Sequence, residues 1–500
     1  MKGLVPHRWR QVWAVTRWVA VASALPLIWA CNSRSFEAPT PNPVSVVNNT
    51  FQATLNRKID ILFMVDNSSS MLPLQAKLIT QFGVFMDVLK MLPAGDGSGN
   101  ALPDIHVGVV SSDTGPGKFD LPAYHCSFAG DRGVLQNIPR GTCTASPFKD
   151  PSQHYLSAQA NQTNTNYNGD ISDAFTCIAA LGDQGCGFEG QLKSVRWALD
   201  PFNVPAGNDG FLRQEAFLAV ILITNEDDCS VPDDSDLVDP TQMSMASTLG
   251  PLWSWRCNEF GHLCQDATGN LAPPPRGPMP TPYQGCVSND TASGKLTKLT
   301  DEISFLKSLK PDPNQIFVAA VTGPATPYTV SMIMQGNDTE LHPNVDHSCM
   351  QNSGEYADPS VRIQQWVQSF GNHGLLETIC APSFAPALMQ IATELSKLLG
   401  PQCIGNNLVD TDLNTPGIQP ECQVVDTYVD TGNTFTTVLQ SCASNGNNAP
   451  CWSFDPDPQK CPGNFLVLNV NRGGAMLPSG LQTSVSCSQC LPGVQRTGCP

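Results

Sequence analysis

The chain has 500 residues, with 42 Pro, 40 Gly and 19 Cys; 41% of it is apolar and 14% charged. Pro and Gly are too few and too irregular for collagen or a low-complexity chain, and the apolar fraction supports real cores in two or three domains. The formal charge of −17 argues against a nucleic acid partner, which wants a basic patch, and against docking on anionic lipid. Nineteen cysteines point to an oxidising compartment, and the odd number leaves one for another task.

Residues 1–30 carry Lys2, Arg8, Arg10 and Arg17 and no acid, followed by an apolar run from Trp18 to Ala30. A basic start before a short apolar run is a secretory signal, and the run falls short of the roughly 20 residues a membrane span needs. It ends Ile28-Trp29-Ala30-Cys31. This resembles a bacterial lipoprotein signal, in which the Cys becomes lipidated, although Trp29 replaces a small residue. Assigning Cys31 to lipid leaves an even number of cysteines for disulfides. Residues 31–55 then form the lipidated Cys and a flexible tether. The resemblance implies a bacterial cell envelope protein, periplasmic or surface-exposed, that meets the membrane through its anchor only. Asn32, rather than Asp, after the Cys favours the outer membrane.

Lys58–Asp66 reads KIDILFMVD, a strand buried on both faces. Leu74, Leu78, Phe82, Phe85, Leu89 and Leu92 recur at steps of three and four and predict one amphipathic helix. Asp104–Ser112 is a second strand, Phe188 to Leu199 a helix, and Phe217–Thr224 the clearest buried strand. Leu296 to Leu309 is a helix and Gln315–Val321 a strand; Val361–Phe370 and Phe384–Leu399 are helical. Alternation of this kind predicts an α/β fold, a doubly wound and mostly parallel sheet, over residues 56–400. Polar stretches near 116–176 and 230–282 read as surface insertions held by disulfides. Residues 401–500 read as a small Cys-rich, β-rich domain.

The first strand runs into Val65-Asp66-Asn67-Ser68-Ser69-Ser70. One carboxylate and two hydroxyls at Asp66, Ser68 and Ser70, just past the carboxyl end of a central strand, suit a hard cation such as Mg²⁺ or Ca²⁺. Neutral hydroxyls leave the metal electron-poor and able to accept a partner's carboxylate. The other reading is a Ser-rich turn capping a helix.

With this motif, the strand DILFMVD, the helix after it and the later strand LAVILIT, the chain resembles a von Willebrand factor type A domain over residues 56–400. CGFEGQLKSV, ITNEDDCS, AAVTGP and DTDLNTPGIQPEC are similar to cysteine-rich lipoproteins of myxobacterial type that carry this domain. The resemblance implies a metal-ion-dependent adhesion site at Asp66, Ser68 and Ser70. It further implies a protein partner on the envelope or outside the cell. Two departures mark the site as degenerate. No Thr stands in Gly185-Cys186-Gly187-Phe188-Glu189, where Glu189 could substitute, and Asn225 occupies the position of a family Asp. Asp227 or Asp228 could restore the lost carboxylate.

Asp410, Asp412, Asn414 and Glu421 match a calcium loop in spacing, but Thr415 replaces its turn Gly and the loop also reads as an Asx turn. Cys487 and Cys490 form a CxxC that an exported chain uses as disulfide more readily than as zinc site. Pairing of near neighbours would join Cys257 to Cys264 and Cys487 to Cys490, though connectivity is combinatorial. There is no HExxH, GxSxG, Walker loop or dinucleotide GxGxxG. The leading expectation is an adhesion-type binding module. Its competitors are an exported hydrolase with its active site in the insertions and an envelope scaffold without metal. Cys31→Ala is expected to release soluble protein or to leave the precursor uncleaved, as read by membrane fractionation and N-terminal mass; unchanged retention with a normal mature N-terminus refutes the anchor.

Overall fold

The computed structural model describes residues 44–499 apart from 53–57, 92–101, 129, 141–142, 144, 160–163, 267, 279–281, 335–339, 400–402, 406, 416–417, 431–432, 457–464, 474–480 and 491–496. The expected signal peptide and Cys31 lie outside the described residues. Among those described, no helix is long and apolar enough to cross a membrane. The chain divides into two compact units: Met1–Val47 with Asn407–Cys422 and Cys487–Pro500, and Asn48–Asn406 with Gln423–Ser486.

The larger unit is built on six strands: β1 (Lys58–Val65), β2 (Asp104–Ser111), β3 (Leu156–Ala158), β4 (Phe217–Ile223), β5 (Ile316–Thr322) and β6 (Gly374–Thr378). Their order is β6-β5-β4-β1-β2-β3. All neighbours are parallel except the edge strand β3, which runs antiparallel to β2. The sheet grows one way from β1 through β2 and the other way from β4, so the order reverses between β1 and β4. In open α/β sheets that reversal opens a crevice at the carboxyl ends of the strands.

The helices are α1 (Leu72–Ile79), α2 (Phe82–Lys90), α3 (Ile171–Ala179), α4 (Gln191–Leu199), α5 (Trp255–Gly261), α6 (Leu299–Ser308), α7 (Val361–Gln368) and α8 (Ala385–Leu399). Alternate residues of β1 serve opposite faces. Ile61, Phe63 and Val65 join the cluster with α1, α2, α3 and α8, while Leu62 and Met64 join the one with α4, α6 and α7. Phe63 packs against Phe175, Phe85 and Phe82 at 4.6, 5.2 and 6.2 Å between ring centroids. The helix expected from Leu74 to Leu92 breaks at Thr80 and Gln81. The Gln81 Oε1 accepts from the backbone N–H groups of Phe384 and Ala385 at 2.6 and 2.7 Å. A side chain used to cap α8 leaves the helix it would otherwise decorate, and apolar spacing carries no sign of that.

The insertions contribute more than expected. The stretch 116–176 supplies β3 and most of α3, with Leu156, Ile171 and Phe175 buried in the main core. The stretch 230–282 carries α5 and packs Trp255 and Cys264 in a separate core with Tyr283, Tyr328 and Val361 from later in the chain. Its buried Arg256 donates to the carbonyls of Pro251, Leu237 and Gly250 at 2.9, 2.7 and 2.9 Å and also to Gln242. Those carbonyls thus share one central donor.

Among the described residues eight disulfides form: Cys126–Cys186, Cys143–Cys177, Cys229–Cys257, Cys264–Cys286, Cys349–Cys380, Cys422–Cys487, Cys442–Cys451 and Cys490–Cys499. Pairing therefore skips the near neighbours Cys257/Cys264 and Cys487/Cys490. In each case a strand or helix directs the two side chains to different partners. The C-terminal part of the larger unit is β-rich: Cys451–Pro456 lies antiparallel to Phe465–Asn471, and Arg472 pairs with the buried Asp426. In the smaller unit Asp410 bridges to Pro420, and Cys422–Cys487 and Cys490–Cys499 close it.

At the amino ends of the strands, the fully buried Asp60 accepts from Arg213 through Nε at 2.8 Å and backbone N at 2.7 Å, with Lys310 Nζ 3.9 Å away. Burial lifts the Asp60 carboxyl to about 6, against the pull of Arg213 and Lys310. Removing one partner of a buried ion cluster strands the others. Asp60→Ala is therefore expected to cost about 3–5 kcal/mol in denaturant melts, and Asp60→Ala with Lys310→Met to recover part of that loss.

Candidate functional site

The crevice between β1 and β4 is organised by Asp66, which is fully buried. Its Oδ1 accepts from the backbone N–H of Ser68 at 2.8 Å and from Ser112 Oγ at 3.1 Å. Its Oδ2 accepts from Thr224 Oγ1 at 2.6 Å. Asp66 N–H continues the ladder to the Ile223 carbonyl at 2.9 Å. One carboxylate therefore ties together the ends of β1, β2 and β4. Gln75 of α1 locks the turn from behind, donating to the carbonyls of Asp66 and Gly182 at 2.7 Å each.

The hydroxyls converge as the motif implies. Ser68 Oγ lies 3.1 Å from Ser70 Oγ, and Ser70 Oγ lies 3.1 Å from Asn225 Oδ1. Asn225 is held by its Nδ2, which donates to the Tyr356 carbonyl at 3.3 Å, and by its carbonyl, which accepts from Asp358 N–H at 2.8 Å. The side chain of Ser68 does not cap the turn that follows it.

Two glutamates complete the cluster. Glu226 Oε1 is 3.1 Å from Ser70 Oγ. Glu189 is 2% exposed, and its Oε1 has no hydrogen-bond partner. The loop bearing it is clamped: Gly185 N–H donates to the Asn67 carbonyl at 2.7 Å, Gly190 N–H to that of Ser112 at 2.8 Å, and the Glu189 carbonyl accepts from Cys229 N–H at 2.8 Å. A Cβ at Gly185 would lie 2.2 Å from Asn67 Oδ1, and one at Gly190 2.2 Å from Thr114 Oγ1, so the close approach requires glycine at both. Cys126–Cys186 fixes the same loop covalently.

The electrostatics follow from crowding acids out of water. Burial holds the Asp66 carboxyl above its usual range, against hydrogen bonds from Thr224, Ser68 and Ser112. Burial, with the charges of Asp358 and Asp66, pushes Glu226 up to about 8. Burial and the charges of Glu226 and Asp66 push Glu189 well up. Beside them Asp358 accepts from His347 Nδ1 at 2.7 Å, and that imidazole stacks on Tyr356 at 3.7 Å.

The acids after Asn225 diverge. Asp227 points away from Ser70. Its Oδ2 pairs with His262 Nε2 and accepts from Arg362 N–H, each at 2.8 Å, and its Oδ1 accepts from Ile363 N–H at 3.1 Å. Asp228 accepts from Leu192 N–H at 2.9 Å and from Arg362 Nε at 3.1 Å. Asp227 thus caps α7 and Asp228 caps α4, where a negative charge meets unpaired N–H groups. Sequence reasoning weighed the acidic run 226–228 as ligands or a solvated loop without singling out Glu226, and it missed Thr224 and Ser112. Only the acidic run itself hinted at Glu226, and nothing in it ranks three consecutive acids.

Among the described residues, no three His, Cys, Asp or Glu side chains are grouped so as to hold a metal ion. The cluster at Asp66 instead mixes carboxylate, hydroxyl and amide oxygens, the donor chemistry of a hard cation. The stretch with calcium-loop spacing is an Asx turn, the reading its Thr415 favoured: Asp410 Oδ1 accepts from Asp412 N–H at 3.0 Å, and Asp412 accepts from Asn414 N–H at 3.1 Å and Thr415 Oγ1 at 2.7 Å.

No family model and no curated protein sequence matches the chain. Solved structures align only distantly. The pilus adhesin RrgA from Streptococcus pneumoniae aligns at 9% identity over 92% of this chain and 60% of that chain, with a TM-score of 0.28. The pilus adhesin SpaC from Lactobacillus rhamnosus GG aligns at 13% over 90% of this chain and 42% of that chain, at 0.28. The human COPII-coat protein Sec24c aligns at 8% over 92% of this chain and 48% of that chain, at 0.30. The chain spans less than two thirds of these proteins, and at these scores none carries an argument about function.

The divergence of Glu226 and Asp227 has a direct test. Burial works against the Asp227 charge, but His262 and the two α7 amides override it and hold this carboxyl below its usual range. Its contribution is therefore present above the unfolded value of about 4 and is lost as pH falls through the lowered native value. Asp227→Ala is expected to cost about 3 kcal/mol at neutral pH, less at low pH, and to leave any response to divalent metal unchanged.

Proposed function

We propose that the chain is an exported, lipid-anchored binding module of adhesion type. Its von Willebrand factor A-like domain, residues 56–400, presents the face around Asp66 to a protein partner. One observation carries the reading: Asp66, Ser68, Ser70 and Asn225 meet at the carboxyl edge of the sheet, at the point where strand order reverses. A doubly wound sheet with an antiparallel edge strand supports the same family assignment. The disulfides agree with an extracytoplasmic location, and Cys31 supplies the proposed anchor to the envelope.

The donor set fits Mg²⁺ or Ca²⁺: all donors are oxygens, Asp66, Ser68 and Asn225 are buried and Ser70 half-buried, and Oε1 of the nearby Glu189 lacks a hydrogen-bond partner. Asp66 is the charged ligand, Ser68 and Ser70 the hydroxyl ligands, and Asn225 the amide ligand. A bound cation would supply positive charge at the crevice mouth. The residues' own task is to hold that geometry before the cation arrives, through Thr224, Ser112 and Gln75. Asn225 in place of an acid makes the site weak by the motif residues alone.

Thermal melts in Mg²⁺ and in chelator test the reading. A ligand at a hundredfold its dissociation constant stabilises by about 2.7 kcal/mol. The wild type is expected to melt higher in excess Mg²⁺, Asp66→Ala to lose that gain, and Asn225→Asp to enlarge it while melting lower in chelator. Equal metal response in all three overturns the adhesion-site reading and leaves the turn as a structural cap.

A further inference from the structure

We propose that two copies of the chain associate through an open sheet edge in the C-terminal part of the larger unit, by antiparallel pairing of one strand with its own counterpart.

Three strands make the edge: β7 (Cys422–Asp430), β8 (Asn433–Ser441) and β9 (Cys451–Pro456). β7 and β8 form a hairpin, in register from Val424 opposite Leu439 to Asp430 opposite Asn433. On its other side β8 runs parallel to β9, but only at Gln440 opposite Cys451 and Ser441 opposite Trp452. The next step along that register would set Leu439 against Pro450, which has no N–H to give. Trp452 Nε1 donates to the Leu439 carbonyl at 3.1 Å instead, and Cys442–Cys451 fixes the two strands at this point. Pairing therefore stops at Gln440. Among the described residues, no strand continues along Asn433–Val438 on that side, and every residue of that segment is exposed.

Composition is the second ground. An open edge leaves a row of N–H and C=O groups that can template another strand, and proteins ordinarily guard it with Lys, Pro or an inward-pointing charge. Asn433-Thr434-Phe435-Thr436-Thr437-Val438 carries none of these. Thr, Phe and Val are strand formers. Phe435 and Val438 are 44% and 59% exposed. Phe435 stacks on Tyr428 of β7 at 5.1 Å between ring centroids, so this aromatic is held in place before a partner arrives.

Charge names the occupant. The chain carries a formal charge of −17, yet no Asp, Glu, Lys, Arg or His occurs from Thr431 to Phe454. Two acidic copies repel each other, and a neutral strip is where they meet at least cost. A charged peptide finds no counter-charge on this strand. The strand is also self-complementary. Antiparallel pairing about a two-fold axis at Thr436 sets Thr436 against its counterpart, Phe435 against Thr437 and Thr434 against Val438. Each facing pair is of the neutral β-branched or aromatic kind that stabilises a sheet. Such a dimer uses the same patch on both copies and closes on itself.

The experiment uses the full chain with its disulfides intact. Sedimentation equilibrium reads its mass up to about 1 mM, the effective concentration that short tethers give neighbouring modules. The wild type is expected to pass from monomer to dimer as concentration rises, and deuterium exchange of the Asn433–Val438 amides to slow in step. Thr436→Lys opposes two like charges across the axis and is expected to weaken the dimer by roughly tenfold or more. Thr436→Glu is expected to do the same. An equal mixture of the two variants should dimerise at least as well as the wild type, because Lys then faces Glu. Ala292→Lys, exposed and far along the chain from this strand, should change nothing. Thermal melts establish that each variant folds. A wild type that stays monomeric throughout overturns the proposal and leaves the edge to a strand of another protein. A dimer that both Thr436 variants leave intact, or a mixture that fails to dimerise, overturns it equally.

Discussion

The carboxylate of Asp66 is the point on which the crevice depends. It sits at the end of the central strand, fully buried, and draws a hydroxyl from each neighbouring strand end, Ser112 and Thr224, onto its two oxygens. A buried carboxylate without such donors would be unaffordable in free energy. With them it fixes where β1, β2 and β4 end and how the following loops leave. Ser68 and Ser70 project into the crevice because the turn begins from that anchored residue. Gln75 then joins the first helix to the same spot.

The run Glu226-Asp227-Asp228 shows how a strand end distributes charge. Three consecutive carboxylates take three directions, two to helix amino-termini and one to the crevice. The capping pair satisfies N–H groups that every helix leaves open and ties α7 and α4 to the end of β4. Through Asp227 the network reaches His262 and Tyr328, and so roots the stretch 230–282 in the main sheet. The acids that looked like spare ligands are thus the fastening of an insertion, and the acid beside them is the one free to face the site.

Disulfides and buried cations perform the work that regular packing leaves undone outside the sheet. Cys126–Cys186 braces the Glu189 loop, Cys229–Cys257 and Cys264–Cys286 brace the stretch around α5, and Arg256 gathers its loop carbonyls around one guanidinium. Long loops lose much conformational entropy on ordering, and covalent closure removes part of that loss from the unfolded chain. The site-facing loops are therefore held rigid without a large core of their own.

Much of the sheet was legible in the sequence because buried parallel strands are continuous apolar runs. β1, β2, β4 and β5 stand out as such, and Asp66, Ser68 and Ser70 stand out because they follow the first of them. The edge strand β3 and the short β6 carry no such run, being brief and half-covered, so their places came only from pairing. The break at Gln81 was hidden because apolar spacing continues across it while the polar side chain answers to α8, some 300 residues away. Cysteine parity is a property of composition, but pairing is a property of distance: Cys257 and Cys264 lie seven positions apart and choose different partners. The same holds at the site. Sequence determined which residue types stand after β1 and β4; only the tertiary structure decided that Glu226 turns toward Ser70 while Asp227 turns toward His262. That choice is made by helix ends and an imidazole brought in from distant parts of the chain, and no local pattern encodes their position.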